Sequence, residues 1–145
     1  MKILDLVDDV RSGCKSVLTT MTLEEYKKLS FFAFNNNGNI DGQRSVIKRS
    51  STAAKIRKRM ADDFRKGAIF PQVVLGVLFS TENMQNLDES KFYMLLESVN
   101  EGQISIIDGM QRSNIYFENY EDNKQQKIRV EFWCSDASTK LLYRM

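Results

Sequence analysis

Apolar positions recur along the chain in short blocks whose spacing changes from one block to the next. Ile3, Leu4, Leu6, Val7 and Val10 follow a helical spacing, which predicts a helix over residues 2–10 that stops at Gly13. Thr22 stands three residues before Glu25, a capping-box pattern that predicts a helix from there to about Leu29. Ser30-Phe31-Phe32-Ala33-Phe34 then reads as a strand, and Asn35 to Asn39 as a loop. Ser51 and Thr52 cap a helix over 53–66, with Ala53, Ile56, Met60 and Phe64 on one face and Gly67 as its stop.

The second half alternates strands and helices. Pro71 precedes the β-branched run Gln72 to Phe79, which reads as a central strand. Asp88 or Glu89 opens a segment with Phe92, Leu95, Leu96 and Val99 on one side. Residues 104–107 form a second buried strand, and a helix follows from 109 to about 120. Lys127 to Cys134 alternates charged and apolar residues, the period of a strand half exposed to water. Residues 135–138 cap a last helix, whose apolar positions, Leu141 and Leu142, have barely begun when the sequence reaches Met145. That helix reads as cut short, with a natural domain that continues further. The expected class is α+β, a small mixed sheet flanked by helices.

Composition limits the chemistry. The chain has 145 residues, 42% hydrophobic and 28% charged, as expected of one domain. It contains no histidine, which removes Ser-His-Asp and Cys-His catalysis. Cys14 and Cys134 lie far apart with no second pair, so a structural zinc site is not expected. No signal peptide and no apolar run of membrane length are present, and the expected setting is the cytoplasm with reduced thiols.

A net charge of +2 hides an uneven spread. Arg44, Lys48, Arg49, Lys55, Arg57, Lys58, Arg59, Arg65 and Lys66 are opposed locally by Asp62 and Asp63 alone. Such a stretch could follow a nucleic-acid backbone, with Arg57, Lys58 and Arg59 as the contacts, or be a solvated helix face. A set of aromatics interleaved for base stacking in the manner of single-strand binders is missing there, with Phe64 on the apolar face.

The residues richest in chemistry are Ile104 to Asn114. An apolar strand ends in Asp108-Gly109, and Gln111 and Arg112 fall in the first turn of the next helix. A strand that feeds a helix N-terminus leaves unpaired N–H groups aimed at one spot, an anion pocket in outline. Plainer roles exist for each residue: Asp108 as helix cap, Gly109 as a turn residue, Arg112 as half of a surface ion pair. Glu101, Asp108 and Glu131 are the carboxylates available for Mg²⁺, although their spacing lends no support. Ile40-Asp41-Gly42-Gln43-Arg44-Ser45 echoes the motif, and reads as a chance match in a turn.

Asp108-Gly109-Met110-Gln111-Arg112 resembles the signature of the DGQHR-type domain in the ParB/sulfiredoxin-like superfamily. The basic helix 51–66, the strand from Phe70-Pro71-Gln72-Val73-Val74 and the motif strand stand in the order that resemblance implies. Thr139 to Arg144 also resembles a segment of such proteins. The likeness covers residues 44–145, leaving 1–43 as an N-terminal helical or irregular segment. It implies a mixed sheet that presents the motif turn to a nucleotide or nucleic-acid phosphate. Relatives bind and hydrolyse CTP, use ATP, or serve DNA sulfur modification and phage defence.

Carried over, Asp108 and Gly109 form the turn while Gln111 and Arg112 face the ligand, a nucleoside triphosphate with Mg²⁺ or DNA. This chain departs from the pattern at Met110, so Gln111 occupies the histidine position. The cysteine of sulfiredoxins is missing there, which excludes sulfinic-acid reduction. Whether turnover occurs is left open, since a base would have to be a carboxylate such as Asp108. A DNA-binding regulator without nucleotide chemistry, and a structural or oligomerisation domain, are the alternatives.

Overall fold

The chain begins in a hairpin. In the computed structural model, which describes residues 1–41 and 51–145, β1 (Lys2–Asp9) pairs antiparallel with β2 (Cys14–Thr22). The Gly13 N–H donates to Asp9 O at 2.9 Å, and Gly13 has φ +76°, in the left-handed region that glycine enters most readily. The expected helix over 2–10 is therefore corrected to a strand. The register shifts between Ile3 and Asp5, so Leu4 is an extra residue that breaks the period of two.

β2 runs directly into α1 (Leu23–Asn35). Thr22 is its N-cap: the Glu25 N–H donates to Thr22 Oγ1 at 3.2 Å, and the Thr22 N–H donates to Glu25 Oε1 at 3.1 Å. The expected strand at 30–34 is instead the second half of this helix. The Ser30 hydroxyl turns back to Tyr26 O at 2.7 Å, and Phe31 and Phe34 meet the Phe117 ring edge-on at 5.2 and 5.0 Å. A 3₁₀ turn, Asn37–Asn39, follows.

The basic helix α2 spans Ser51–Arg65, so Ser51 and Thr52, expected as caps, are its first two residues. Of its apolar face only Phe64 is buried, while Met60 packs partly against the core and Ile56 is exposed. Next come β3 (Val73–Leu78), α3 (Thr81–Met84), α4 (Glu89–Glu97, capped by Asp88) and β4 (Ile104–Asp108). They are followed by α5 (Met110–Glu118), β5 (Lys127–Ser135) and α6 (Ser138–Leu141), whose N-cap, Ala137, makes no side-chain bond.

These strands form one five-stranded mixed sheet in the order β1-β2-β5-β3-β4, with β3 and β5 parallel and the other pairs antiparallel. The fold is thus α+β, a mixed sheet flanked by helices. The expected boundary at residues 43 and 44 lies outside the described residues, as do Arg44, Lys48, Arg49 and Gly42 to Ser45 of the motif echo. β2 is hydrogen-bonded to β5, so the N-terminal strands belong to the same sheet as the motif strand.

The main core lies on one face, where Val17, Met21, Leu75, Val77 and Phe132 meet Tyr26, Phe64, Phe92, Ile115 and Tyr116 from the helices. A smaller cluster on the other face gathers Cys14, Val74, Ile107, Trp133 and Leu141. Phe132 and Trp133 are therefore both buried, one on each side. β5 is not the half-exposed strand its alternation suggests, because the C-terminal segment covers its second face. There Trp133 Nε1 donates to Lys140 O at 3.1 Å, and Arg144 Nη2 reaches both Glu131 carboxylate oxygens at 2.7 Å. The edge strand β4 is blunted by the 3₁₀ turn: Asn39 Nδ2 donates to Ile104 O at 3.0 Å, and Ser105 Oγ donates to Asn39 O at 3.1 Å.

Candidate functional site

The motif turn is built by close contact between β3 and the start of α5. Val74 lies opposite Asp108 and Leu75 opposite Ile106, so Ile107 is an additional residue that bends β4 just before the turn. Gly109 then takes φ +112° and ψ 24° as the N-cap of α5. A Cβ on Gly109 would come within 2.9 Å of Val73 Cγ1, so any side chain there has to displace Val73. Hydrophobic burial of Met110 seats the first helical residue in the core.

Gly109 supplies no side-chain cap, and the first helical bond is Ser113 N–H to Gly109 O at 2.8 Å. The N–H groups of Met110, Gln111 and Arg112 therefore have no intrahelical acceptor. Asp108 does not cap α5, contrary to expectation. It is the last residue of β4, and its carboxylate accepts from Arg112 Nη2 at 3.2 Å.

Arg112 also donates from Nη2 to Gln72 O at 3.1 Å. Its side chain is only 20% exposed while that of Asp108 is 63% exposed, so the guanidinium lies folded against the sheet end with the carboxylate outside it. Arg112 Nε is buried and has no hydrogen-bond partner. Gln111 is exposed beside it. Below the turn, Tyr26 and Ser113 share a buried hydroxyl–hydroxyl bond of 2.7 Å that joins α1 to α5. Burial pushes the Tyr26 phenol up to about 12, against smaller lowering effects from Ser113, Ser30 and Arg112. The Tyr116 phenol is also raised, first by burial.

The structure thus brings Asp108, Gly109, Gln111 and Arg112 to one corner and adds Gln72, which the sequence could not reveal because only its main-chain oxygen takes part. The three carboxylates considered for Mg²⁺ do not gather. Glu131 and Asp108 both lie in register with Val74, on opposite sides of β3. Glu131 is held by Arg144 and by Ser16 Oγ at 3.1 Å, and Glu101 lies in a 3₁₀ turn before β4. Among the described residues, no group of three or more His, Cys, Asp or Glu could hold a metal ion.

On α2, Lys55, Lys58 and Arg59 are exposed, whereas Arg57 is half-buried and has an interaction of its own. Arg65 pairs with Asp62 and donates to Asn119 Oδ1 at 2.6 Å, which ties α2 to the end of α5. Both cysteines are buried and free, and burial raises the Cys134 thiol first of all causes. No helix among the described residues is long and apolar enough to cross a membrane. The chain matches no protein-family model, no curated protein and no solved structure.

Proposed function

We propose that the Asp108–Arg112 corner binds a phosphate group of a nucleotide or nucleic acid. The protein would then act as a ParB/sulfiredoxin-like, DGQHR-type domain in a DNA-modification or phage-defence system. One observation carries this reading: a buried Arg112 Nε without a partner, beside a helix N-terminus with no side-chain cap. An unsatisfied buried donor costs about 1–3 kcal/mol, and a phosphate oxygen is the strongest acceptor for both guanidinium and helix-end amides.

Asp108 has two parts in this proposal. It holds Arg112 in place before the ligand arrives, and it is the one acidic side chain of the motif able to meet a Mg²⁺ carried in by a triphosphate. Such ions need only one or two protein carboxylates when phosphates supply the rest. Exposed Gln111 would contribute a neutral donor at the rim.

The test is calorimetric titration of ATP and CTP, each with Mg²⁺, into the wild type, Arg112→Ala and Arg112→Lys. Loss of a charged hydrogen bond worth about 1.5–3 kcal/mol weakens binding by about 10–100-fold in Arg112→Ala. Equal affinity in wild type and Arg112→Ala, with both proteins folded, rejects the proposal.

A second reading rests on the cations of α2, Lys58 and Arg59 exposed and Arg57 half-buried: sequence-tolerant DNA binding without nucleotide chemistry. It requires DNA affinity that falls steeply with salt, with a shallower slope after Arg57, Lys58 and Arg59 are changed to Gln. Unchanged affinity and slope in that triple variant dismiss it.

A further inference from the structure

Asn37-Gly38 is the one Asn-Gly step in the sequence, and it lies in the turn that clamps the outer edge of β4. We infer that this step is a site of spontaneous deamidation, and that conversion to the isoaspartyl form releases β4 from its clamp. The inference goes beyond phosphate binding and does not depend on it.

Geometry and chemistry both point to this step. Asn37 is exposed, and its side chain holds no hydrogen bond among the described residues. Gly38 is buried in the turn, but with no Cβ it sets no side chain of its own between its main-chain nitrogen and Cγ of Asn37. Deprotonated by water or hydroxide, that nitrogen attacks Cγ of Asn37. A new N–Cγ bond forms, the Cγ–Nδ2 bond breaks, and the amide nitrogen leaves as ammonia with the proton it gains. Water then adds to the cyclic imide. Opening at one carbonyl gives an ordinary aspartate on a normal backbone, and opening at the other gives an isoaspartyl link that routes the main chain through Cγ. No oxidant or reductant takes part.

The consequence follows from how the turn is wound. Asn37, Gly38 and Asn39 have φ of 52°, 79° and 55°, three successive left-handed residues. The Asn39 N–H closes the turn on Asn36 O at 2.8 Å. An isoaspartyl link inserts an additional methylene into this coil, and the Asn39 amide and carbonyl then no longer meet Ile104 and Ser105. The aspartyl product keeps the backbone length and therefore keeps the clamp. Asp108-Gly109, open in principle to the related aspartyl reaction, differs in that Arg112 holds the Asp108 carboxylate and Val73 crowds Gly109.

The experiment ages the intact folded protein at mildly alkaline pH and follows it by peptide mapping and hydrogen exchange. The peptide that contains Asn37 should show the amide-to-acid mass step before any other asparagine, as two separable isomers. In the isoaspartyl fraction the amides of β4 should lose protection, while an Asn37→Asp variant keeps it. Asn37→Gln should abolish the early mass step. An intact Asn37 after a free peptide of the same sequence has converted would overturn the site. Full β4 protection in the isoaspartyl fraction would overturn the coupling.

Discussion

Gly109→Ala is the sharpest test of how the motif turn is built. At φ +112° an alanine leaves the favoured regions of an L residue, at a cost of about 1–3 kcal/mol. Its Cβ would also lie 2.9 Å from Val73 Cγ1 and 3.0 Å from Cγ2 in a fully buried site, and overpacking of that kind costs about 1–3 kcal/mol. The expected loss is about 3 kcal/mol, read as a lower urea midpoint at unchanged slope. Val73→Ala alone removes two buried methyl groups at about 0.8 kcal/mol each and leaves a small cavity, about 2 kcal/mol in all. Independent effects would sum to about 5 kcal/mol in the double variant. Relief of the collision should hold it near 3 kcal/mol instead, a coupling of about 2 kcal/mol. A Gly109→Ala protein within about 0.5 kcal/mol of wild type, or a strictly additive double variant, would refute the packing argument.

Other expectations follow from single contacts. The Tyr26 phenol is raised in the folded state to about 12 from 10, so the folded chain holds its proton longer than the unfolded one. That contribution is complete below the unfolded value and is lost as pH rises through the folded one, about 3 kcal/mol between them. Unfolding midpoints measured against pH should fall in this alkaline window for wild type and less for Tyr26→Phe. Arg144→Ala strands the Glu131 carboxylate, whose side chain is 8% exposed. Because Arg144 itself is 37% exposed, the expected loss is about 1–2 kcal/mol by thermal melting, partly restored by adding Glu131→Gln. Thr22→Ala should cost about 1 kcal/mol through loss of the α1 cap, and Thr22→Ser almost nothing, by the same measurement.

How far the sequence disclosed this structure depended on whether the signal was local. The Thr22–Glu25 cap, the presence of α2, the Asp88 cap of α4 and the order β4–turn–α5 all rest on neighbouring residues, and each was legible. β1 was misread because the bulge at Leu4 disturbs its alternation and leaves a spacing that also suits a helix. β2 gave little signal because buried Thr19 is polar, its hydroxyl satisfied by Val130 O on a strand more than a hundred residues later. β5 misled in the opposite sense: Glu131 reads as a solvent residue until Arg144 is seen to neutralise it. At the candidate site, the residues of the motif could be named in advance. The inward fold of Arg112 could not, since its acceptor is the peptide oxygen of Gln72.

The seam of the sheet has a consequence for biosynthesis. β5, last of the strands in the chain, stands in the middle, with β2 on one side and β3 on the other. While residues 127–135 are still inside the ribosome, the two antiparallel strand pairs of the emerged chain share no strand-to-strand pairing among the described residues and meet through α1 and the turn after it. The packing around Val17 and Leu75 is completed only when this segment slides between the two halves. Completion of the sheet becomes a closing step that waits for β5, and the interval before it is when a holdase would have most to protect.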